Sequence, residues 1–130
     1  MEKPKKCISV ELAKALQIKW EGSRAKDIDL AQGYQDTREF WYSVEELQEY
    51  LNYVKERSAE QGVKDPGIRI YFGAYPKAAV KKSYATVFLA PTKGKSAPLE
   101  GEDETSVNAV NNYNIDPYNE SSGGIPPVTY

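Results

Sequence analysis

Hydrophobic positions near the start of the chain recur at helical spacing. Ser9 precedes them as a candidate N-cap, and Gly22 follows the last of them. These start and stop signals predict a first helix over residues 10–21, with one face formed by Ile8, Leu12, Ala15, Leu16 and Trp20. Residues 23–35 contain Asp and Gly, so we expect a connection there, with a short strand around residues 28–30.

A second helix has the clearest signature in the chain. Residues 38–42 have the composition of a short strand, and Ser43 and Glu46 then have the spacing of a capping box. Hydrophobic residues follow at helical intervals, at Val44, Leu47, Leu51 and Val54. We therefore predict a helix over residues 44–61 that ends at Gly62 in the left-handed conformation.

The next segment predicts a β-hairpin. Two β-rich stretches, residues 68–75 and 84–90, are joined by only eight residues, which is too short for a parallel crossover. Alternation along the strands then separates two faces. The aliphatic face would contain Ile68, Ile70, Phe72, Ala74, Ala85, Val87 and Leu89. The tyrosine-rich face would contain Arg69, Tyr71, Gly73, Tyr75, Tyr84, Thr86 and Phe88.

These elements predict an α+β fold, a small antiparallel sheet of three or more strands with two helices, followed by a mostly irregular C-terminal tail. We place an α+β domain at residues 1–91 and a polar, acidic tail at residues 92–130, either docked on the domain or disordered. If the tail docks, we expect its apolar residues Val107, Val110, Tyr113, Ile115 or Tyr118 to fill the tyrosine-rich face. Its acidic residues 102–104 would then lie near the lysines of the hairpin loop.

Charge and cysteine content narrow the setting. The chain of 130 residues has a formal net charge of −2, which divides into +2 for residues 1–91 and −4 for the tail. Cys7 is the single cysteine, so no internal disulfide can form, and no apolar export or membrane segment follows the N-terminus. These features predict one small domain in the reducing cytoplasm, without a membrane partner.

Candidate catalytic chemistry is limited, because the chain contains no His. The usual general base, Ser-His and Cys-His pairs and the commonest metal ligand are therefore missing. Residues 92–96 resemble the end of a phosphate-binding loop, but Leu89 stands where its first Gly is needed and Pro98 follows. We predict no catalytic residue, metal site or cofactor, while a small enzyme using carboxylate or Lys/Tyr chemistry stays an alternative.

The tyrosine-rich face and the adjoining basic loop form the candidate binding surface. Its residues are Arg69, Tyr71, Tyr75, Lys77, Lys81, Lys82 and Tyr84. Aromatic rings beside basic side chains suit a protein or peptide partner, and also single-stranded nucleic acid, although a body charge of +2 is weak for the latter. Alternatively, a second layer covers the face and its tyrosines belong to the core.

The preferred interpretation of the sequence is a non-catalytic protein or peptide interaction module that uses this face and its loop. The small enzyme and the single-stranded nucleic-acid binder are the two alternatives. The identity of a partner and the oligomeric state stay open, and a homo-oligomer is compatible with the sequence.

Overall fold

The computed structural model describes residues 1–79, 81–94 and 109–130, which form an α+β fold. The helical elements are α1 (Val10–Trp20), a π-helical turn (Glu21–Ala25), α2 (Lys26–Gln32) and α3 (Val44–Glu60). The strands are β1 (Phe40–Trp41), β2 (Gly67–Ala74), β3 (Ala85–Lys93), β4 (Val110–Asn111) and β5 (Ser122–Gly123). Strands β1 and β5 form a two-stranded sheet, and a three-stranded sheet has the order β2-β3-β4. The chain divides into two compact units, Met1–Glu39 with Gly123–Tyr130, and Phe40–Ser122.

The first unit is built on a helix that is longer than predicted. Ser9 caps α1 as expected, because its Oγ accepts a hydrogen bond of 3.1 Å from the backbone N–H of Leu12. Gly22 does not end the helix, since the chain passes through the π-helical turn directly into α2. The helix ends instead at Gly33, whose φ of 80° is the left-handed conformation that glycine adopts without strain. The predicted connection and the short strand at residues 28–30 are therefore wrong.

A polar network joins the helix to later residues of the same unit. Arg38 Nη2 lies 3.1 Å from Glu21 Oε1, and the hydroxyl of Thr129 donates to the same carboxylate oxygen at 2.9 Å. The backbone N–H of Asp36 donates to Asp29 Oδ1 at 2.8 Å. These bonds fasten both the segment after α2 and the C-terminal residues to the helical part of the first unit.

Helix α3 begins with the predicted capping box. The backbone N–H of Glu46 donates to Ser43 Oγ at 3.0 Å, and the Ser43 N–H donates to Glu46 Oε2 at 3.2 Å. Each side chain thus satisfies a backbone donor that the first helical turn leaves unpaired. Gly62 follows the helix with a φ of 72°, as the pattern predicted.

Strands β2 and β3 form the predicted antiparallel hairpin. Their register runs without interruption from Gly67 opposite Thr92 to Ala74 opposite Ala85. Strand β3 extends to Lys93 and occupies the centre of the sheet. The register places the aliphatic positions of both strands on one face and the tyrosine-rich positions on the other, because directly opposed residues share a face.

The C-terminal segment supplies the third strand. Strand β4 pairs with the end of β3, where Asn111 lies opposite Thr92. Farther along, Tyr118 and Leu89 exchange two backbone hydrogen bonds, of 2.8 and 3.0 Å. Residues 110–118 therefore lie along the edge of β3 that β2 leaves open, with a turn between the two attachments.

The core of the second unit lies between α3 and the aliphatic face of β3. Its buried members are Tyr50, Val54, Leu89 and Ile115, with Tyr42, Leu47, Ile68 and Tyr118 packed against them. Ile115 and Tyr118 thus enter the helix side of the sheet, whereas Val110 and Tyr113 are exposed. The prediction that these tail residues fill the tyrosine-rich face is wrong. The expected neighbours Val107 and residues 102–104 lie outside the described residues.

Helix α3 does not cover the whole aliphatic face. Leu89 is buried, but Ile70, which lies directly opposite it, keeps 66% of its surface exposed, and Phe72 keeps 74% exposed. The hydrophobic pattern does not predict this difference in exposure between β2 and β3. It indicates which face of the sheet a residue occupies, but not how far the helix extends across that face.

Candidate binding site

Two stacked aromatic rings mark the centre of the tyrosine-rich face. The register places Tyr71 directly opposite Phe88. Their rings lie 5.2 Å apart between centroids, with an angle of 21° between the planes. This stacked arrangement is among the geometries that aromatic pairs favour, so the two rings form a rigid apolar platform.

The C-terminal segment borders this platform through Asn111. Arg69 donates from Nη1 to Asn111 Oδ1 and from Nη2 to the backbone oxygen of Ala109, both at 2.6 Å. Asn111 in turn donates from Nδ2 to the Tyr71 hydroxyl at 2.7 Å. That hydrogen bond, together with the nearby Arg69 guanidinium, lowers the pKa of Tyr71. Arg69 and Tyr71, predicted as binding residues, therefore belong to one hydrogen-bond network. In it they bond to Ala109 and Asn111 of the C-terminal segment.

The turn that follows β4 borders the same space as the two stacked rings. Asn112 is buried, accepts from the N–H of Asn114 at 3.1 Å and donates to Gln61 Oε1 at 2.8 Å. Ile115 then anchors the turn in the core, where only 2% of its surface is exposed. Tyr113, between these two fixed points, is 87% exposed. The buried side chains of Asn112 and Ile115 thus hold the turn in place, while the ring of Tyr113 faces solvent.

Together these residues border a groove of about 370 Å³. We call it the aromatic groove and define it by Tyr71, Phe88, Asn111, Tyr113, Asp116 and Pro117. Its volume lies near the lower limit of about 300 Å³ for small-molecule pockets. A groove of this size suits one or two side chains of a peptide better than a whole cofactor.

Tyr75 belongs to a separate network. Its hydroxyl donates to Asn119 Oδ1 at 3.0 Å and accepts from Thr86 Oγ1 at 3.2 Å. Asn119 closes the ring by donating from Nδ2 to Thr86 Oγ1 at 3.1 Å. Since a strand rises about 3.3 Å per residue, Tyr75 lies roughly 13 Å along the hairpin from Tyr71.

The remaining predicted binding residues lie at the loop end of the hairpin. Lys77, Lys81 and Lys82 are exposed there, and Ala78 pairs with Lys81 in an isolated bridge. Tyr84 is half-buried beside them, directly before β3. The structure therefore places Tyr71 in the aromatic groove and Arg69 beside it, bonded to Asn111, but it leaves the lysines at the far end of the hairpin.

Sequence reasoning missed the residues that the C-terminal segment contributes to the groove. The run Asn111-Asn112-Tyr113-Asn114 is dense in Asn, which favours turns because its side chain bonds nearby backbone groups. That signal predicts a turn, but it does not show which strand the turn lies beside. Asn111 and Asp116 could therefore be found only from the folded chain.

Comparison with protein-family models, curated proteins and solved structures finds no match for this chain. Inference about function consequently depends on the geometry alone. In residues 1–79, 81–94 and 109–130, no three His, Cys, Asp or Glu side chains are grouped so that they could hold a metal ion. None of the helices in the described part of the chain is long and apolar enough to cross a membrane.

Parts of two sequence motifs lie outside the described residues. The phosphate-loop resemblance includes Lys95 and Ser96, and the acidic run of the tail covers residues 100–104. The described portion of the first motif ends at Gly94, which follows β3 with a φ of 70°.

Proposed function

We propose that this chain is a non-catalytic interaction module that binds an extended peptide segment of a partner protein in the aromatic groove. The supporting observation is the stack of Tyr71 and Phe88 beside the exposed ring of Tyr113. Aromatic residues dominate binding energy at protein interfaces, because they bury a large apolar area with few rotatable bonds. Three such rings at one groove favour a partner side chain that is apolar, such as Leu or Pro.

Asp116 adds a preference in charge. It lines the aromatic groove and is exposed, while its backbone oxygen accepts from the Tyr50 hydroxyl at 2.8 Å. That bond fixes the main chain at this position. A Lys or Arg next to the apolar residue of the peptide would complement the carboxylate, which favours specificity more than affinity.

The cytoplasm is the proposed location of this module. The lone, exposed Cys7 supports it, since such a thiol persists in a reducing compartment. The groove would then present its rings to partners within the cell.

The test uses a random dodecapeptide display library selected on the full-length protein. We expect selected peptides to carry an apolar residue beside Lys or Arg, and to lose at least about tenfold in affinity on Tyr113→Ser. A tenfold loss corresponds to about 1.4 kcal/mol, which exceeds the roughly 1 kcal/mol that only a minority of interface residues contribute. Tyr113 is 87% exposed, so this substitution should leave the fold intact.

Tyr130→Ser is the matched control, because Tyr130 is also exposed but lies outside the unit that contains the groove. Failure to enrich any peptide, or equal binding to the Tyr113→Ser variant, would refute the proposal. A fluorescent single-stranded oligonucleotide of about 15 thymidines, titrated in parallel, tests the nucleic-acid alternative. Tight, salt-dependent binding of that probe would favour the alternative instead.

A further inference from the structure

The hydrogen-bond network beside the aromatic groove fixes the orientation of the Tyr71 hydroxyl. Arg69 can only donate, so the atom of Asn111 that lies 2.6 Å from its Nη1 must be the amide oxygen. The amide nitrogen of Asn111 then faces Tyr71 and donates to its hydroxyl oxygen at 2.7 Å. The Tyr71 oxygen is therefore the acceptor in this bond, and its own proton is left for another partner.

The proton of the Tyr71 hydroxyl is available inside the aromatic groove. No residue in the described ranges accepts a hydrogen bond from this hydroxyl. Tyr71 and its donor Asn111 both line the groove, so the proton can reach a ligand there. Arg69, Asn111 and Tyr71 form a chain of hydrogen bonds, which polarises the last O–H group and strengthens it as a donor. The lowered pKa of Tyr71, caused by Asn111 and Arg69, is consistent with that polarisation.

Few of the other side chains that line the aromatic groove can donate a hydrogen bond. Asn112 Nδ2 is committed to Gln61 Oε1, and the Asp116 carboxylate can only accept. Tyr113 has a hydroxyl, but this residue is 87% exposed and water can satisfy it. An extended peptide brings one main-chain carbonyl with every residue, and a carbonyl that loses water beside apolar rings needs a donor. Tyr71 is the lining residue best placed to supply it.

We propose that Tyr71 determines specificity by donating its hydroxyl proton to a main-chain carbonyl of the bound peptide, next to the apolar residue that the rings hold. This inference rests on the proposed function, since it assigns one bond within the same groove. An uncharged carbonyl is favoured over a carboxylate as the acceptor, because Asp116 lines the groove and repels a second negative charge. The bond fixes the register in which the peptide lies across the stacked rings of Tyr71 and Phe88.

A double-mutant cycle tests the bond in the full-length protein. The probe is the tightest-binding dodecapeptide of the display selection, acetylated and amidated so that it has no terminal carboxylate. Tyr71→Phe keeps the ring that stacks on Phe88 but removes the proton, so affinity should fall by about fivefold. Asn111→Asp keeps an acceptor for Arg69 and turns a carboxylate oxygen towards Tyr71, whose hydroxyl then donates to that oxygen and not to the peptide. On this second background, Tyr71→Phe should change the affinity by less than about twofold.

Tyr130→Phe is the matched control, because it removes an exposed tyrosine hydroxyl outside the unit that contains the groove. It should bind the peptide like the wild type, and urea melts establish that all variants are folded. Thioamide substitution along the peptide tests the acceptor, since sulfur accepts hydrogen bonds more weakly than oxygen. At one position it should weaken binding to the wild type but not to Tyr71→Phe. If Tyr71→Phe proves unfolded, Asn111→Asp takes its place in this comparison.

The outcomes separate this inference from the proposed function. Peptides that lose affinity on Tyr113→Ser but not on Tyr71→Phe would overturn the Tyr71 bond and leave the proposed function in place. An equal effect of Tyr71→Phe on both backgrounds, or a thioamide scan without a Tyr71-dependent position, would overturn the bond in the same way. Failure to enrich any peptide would remove the proposed function and this inference together.

Discussion

Ile115→Ala is the most direct test of how the C-terminal segment is held. Ile115 is 98% buried among Tyr50, Val54 and Leu89, although it lies on a turn between two short stretches of backbone pairing. The substitution removes three carbon atoms, worth about 0.8 kcal/mol each in transfer free energy. The cavity left behind adds to this loss, so we expect the free energy of unfolding to fall by about 3–4 kcal/mol.

Urea denaturation followed by tryptophan fluorescence measures this change, and Val110→Ala is its control. Val110 belongs to the same segment but is 61% exposed, so its truncation should change the free energy of unfolding by less than about 0.5 kcal/mol. An Ile115→Ala loss under about 1 kcal/mol would contradict the packing described here. It would mean that the segment is held by backbone bonds to β3 and not by its apolar anchor.

The remaining predictions concern three polar side chains of α3 and its N-cap, Ser58, Ser43 and Tyr50. Ser58 is fully buried and its Oγ has no partner among the described residues, so Ser58→Ala should raise the free energy of unfolding by about 1 kcal/mol, whereas Ser43→Ala, which removes the N-cap, should lower it by about 1 kcal/mol. A destabilised Ser58→Ala protein in urea melts would contradict this. Burial, with smaller contributions from Tyr53 and Asp116, raises the pKa of Tyr50 from 10.0 to about 12. As the pH rises, the unfolded chain therefore loses the Tyr50 proton before the folded chain does. The contribution of this group to the free energy of unfolding should be fully present below about pH 10 and should be lost between about pH 10 and 12. Tyr50→Phe should reduce that fall in pH-dependent melts, and an equal fall in both proteins would refute the assignment.

Local signals in the sequence were sufficient for several elements. The capping box of Ser43 and Glu46 and the left-handed Gly62 define α3, because both features depend on residues that are close in the chain. The hairpin was also predictable, since a short loop between two alternating strands permits only antiparallel pairing. The α+β class follows from these elements and is observed.

Other local signals misled because competing geometries were available. The sequence predicts that Gly22 ends the first helix, but glycine only permits the left-handed conformation and does not impose it. The chain instead accommodates Gly22 in a π-helical turn and continues the helix to Gln32. The pattern Ile28-Asp29-Leu30 also suits a strand, because three residues are too few to distinguish the alternation of a strand from the 3.6-residue period of a helix.

Only tertiary packing decided where the C-terminal segment lies and what the aromatic groove contains. Alternation along the hairpin identified the face that carries Tyr71 and Phe88, because side chains of a strand point to alternate sides. It could not show that Asn111 binds Tyr71, or that Ile115 packs with Tyr50 on the opposite face. These partners are separated by 40 and 65 positions in the sequence. Pattern analysis compares near neighbours, whereas contacts over such separations depend on how the whole chain closes its core.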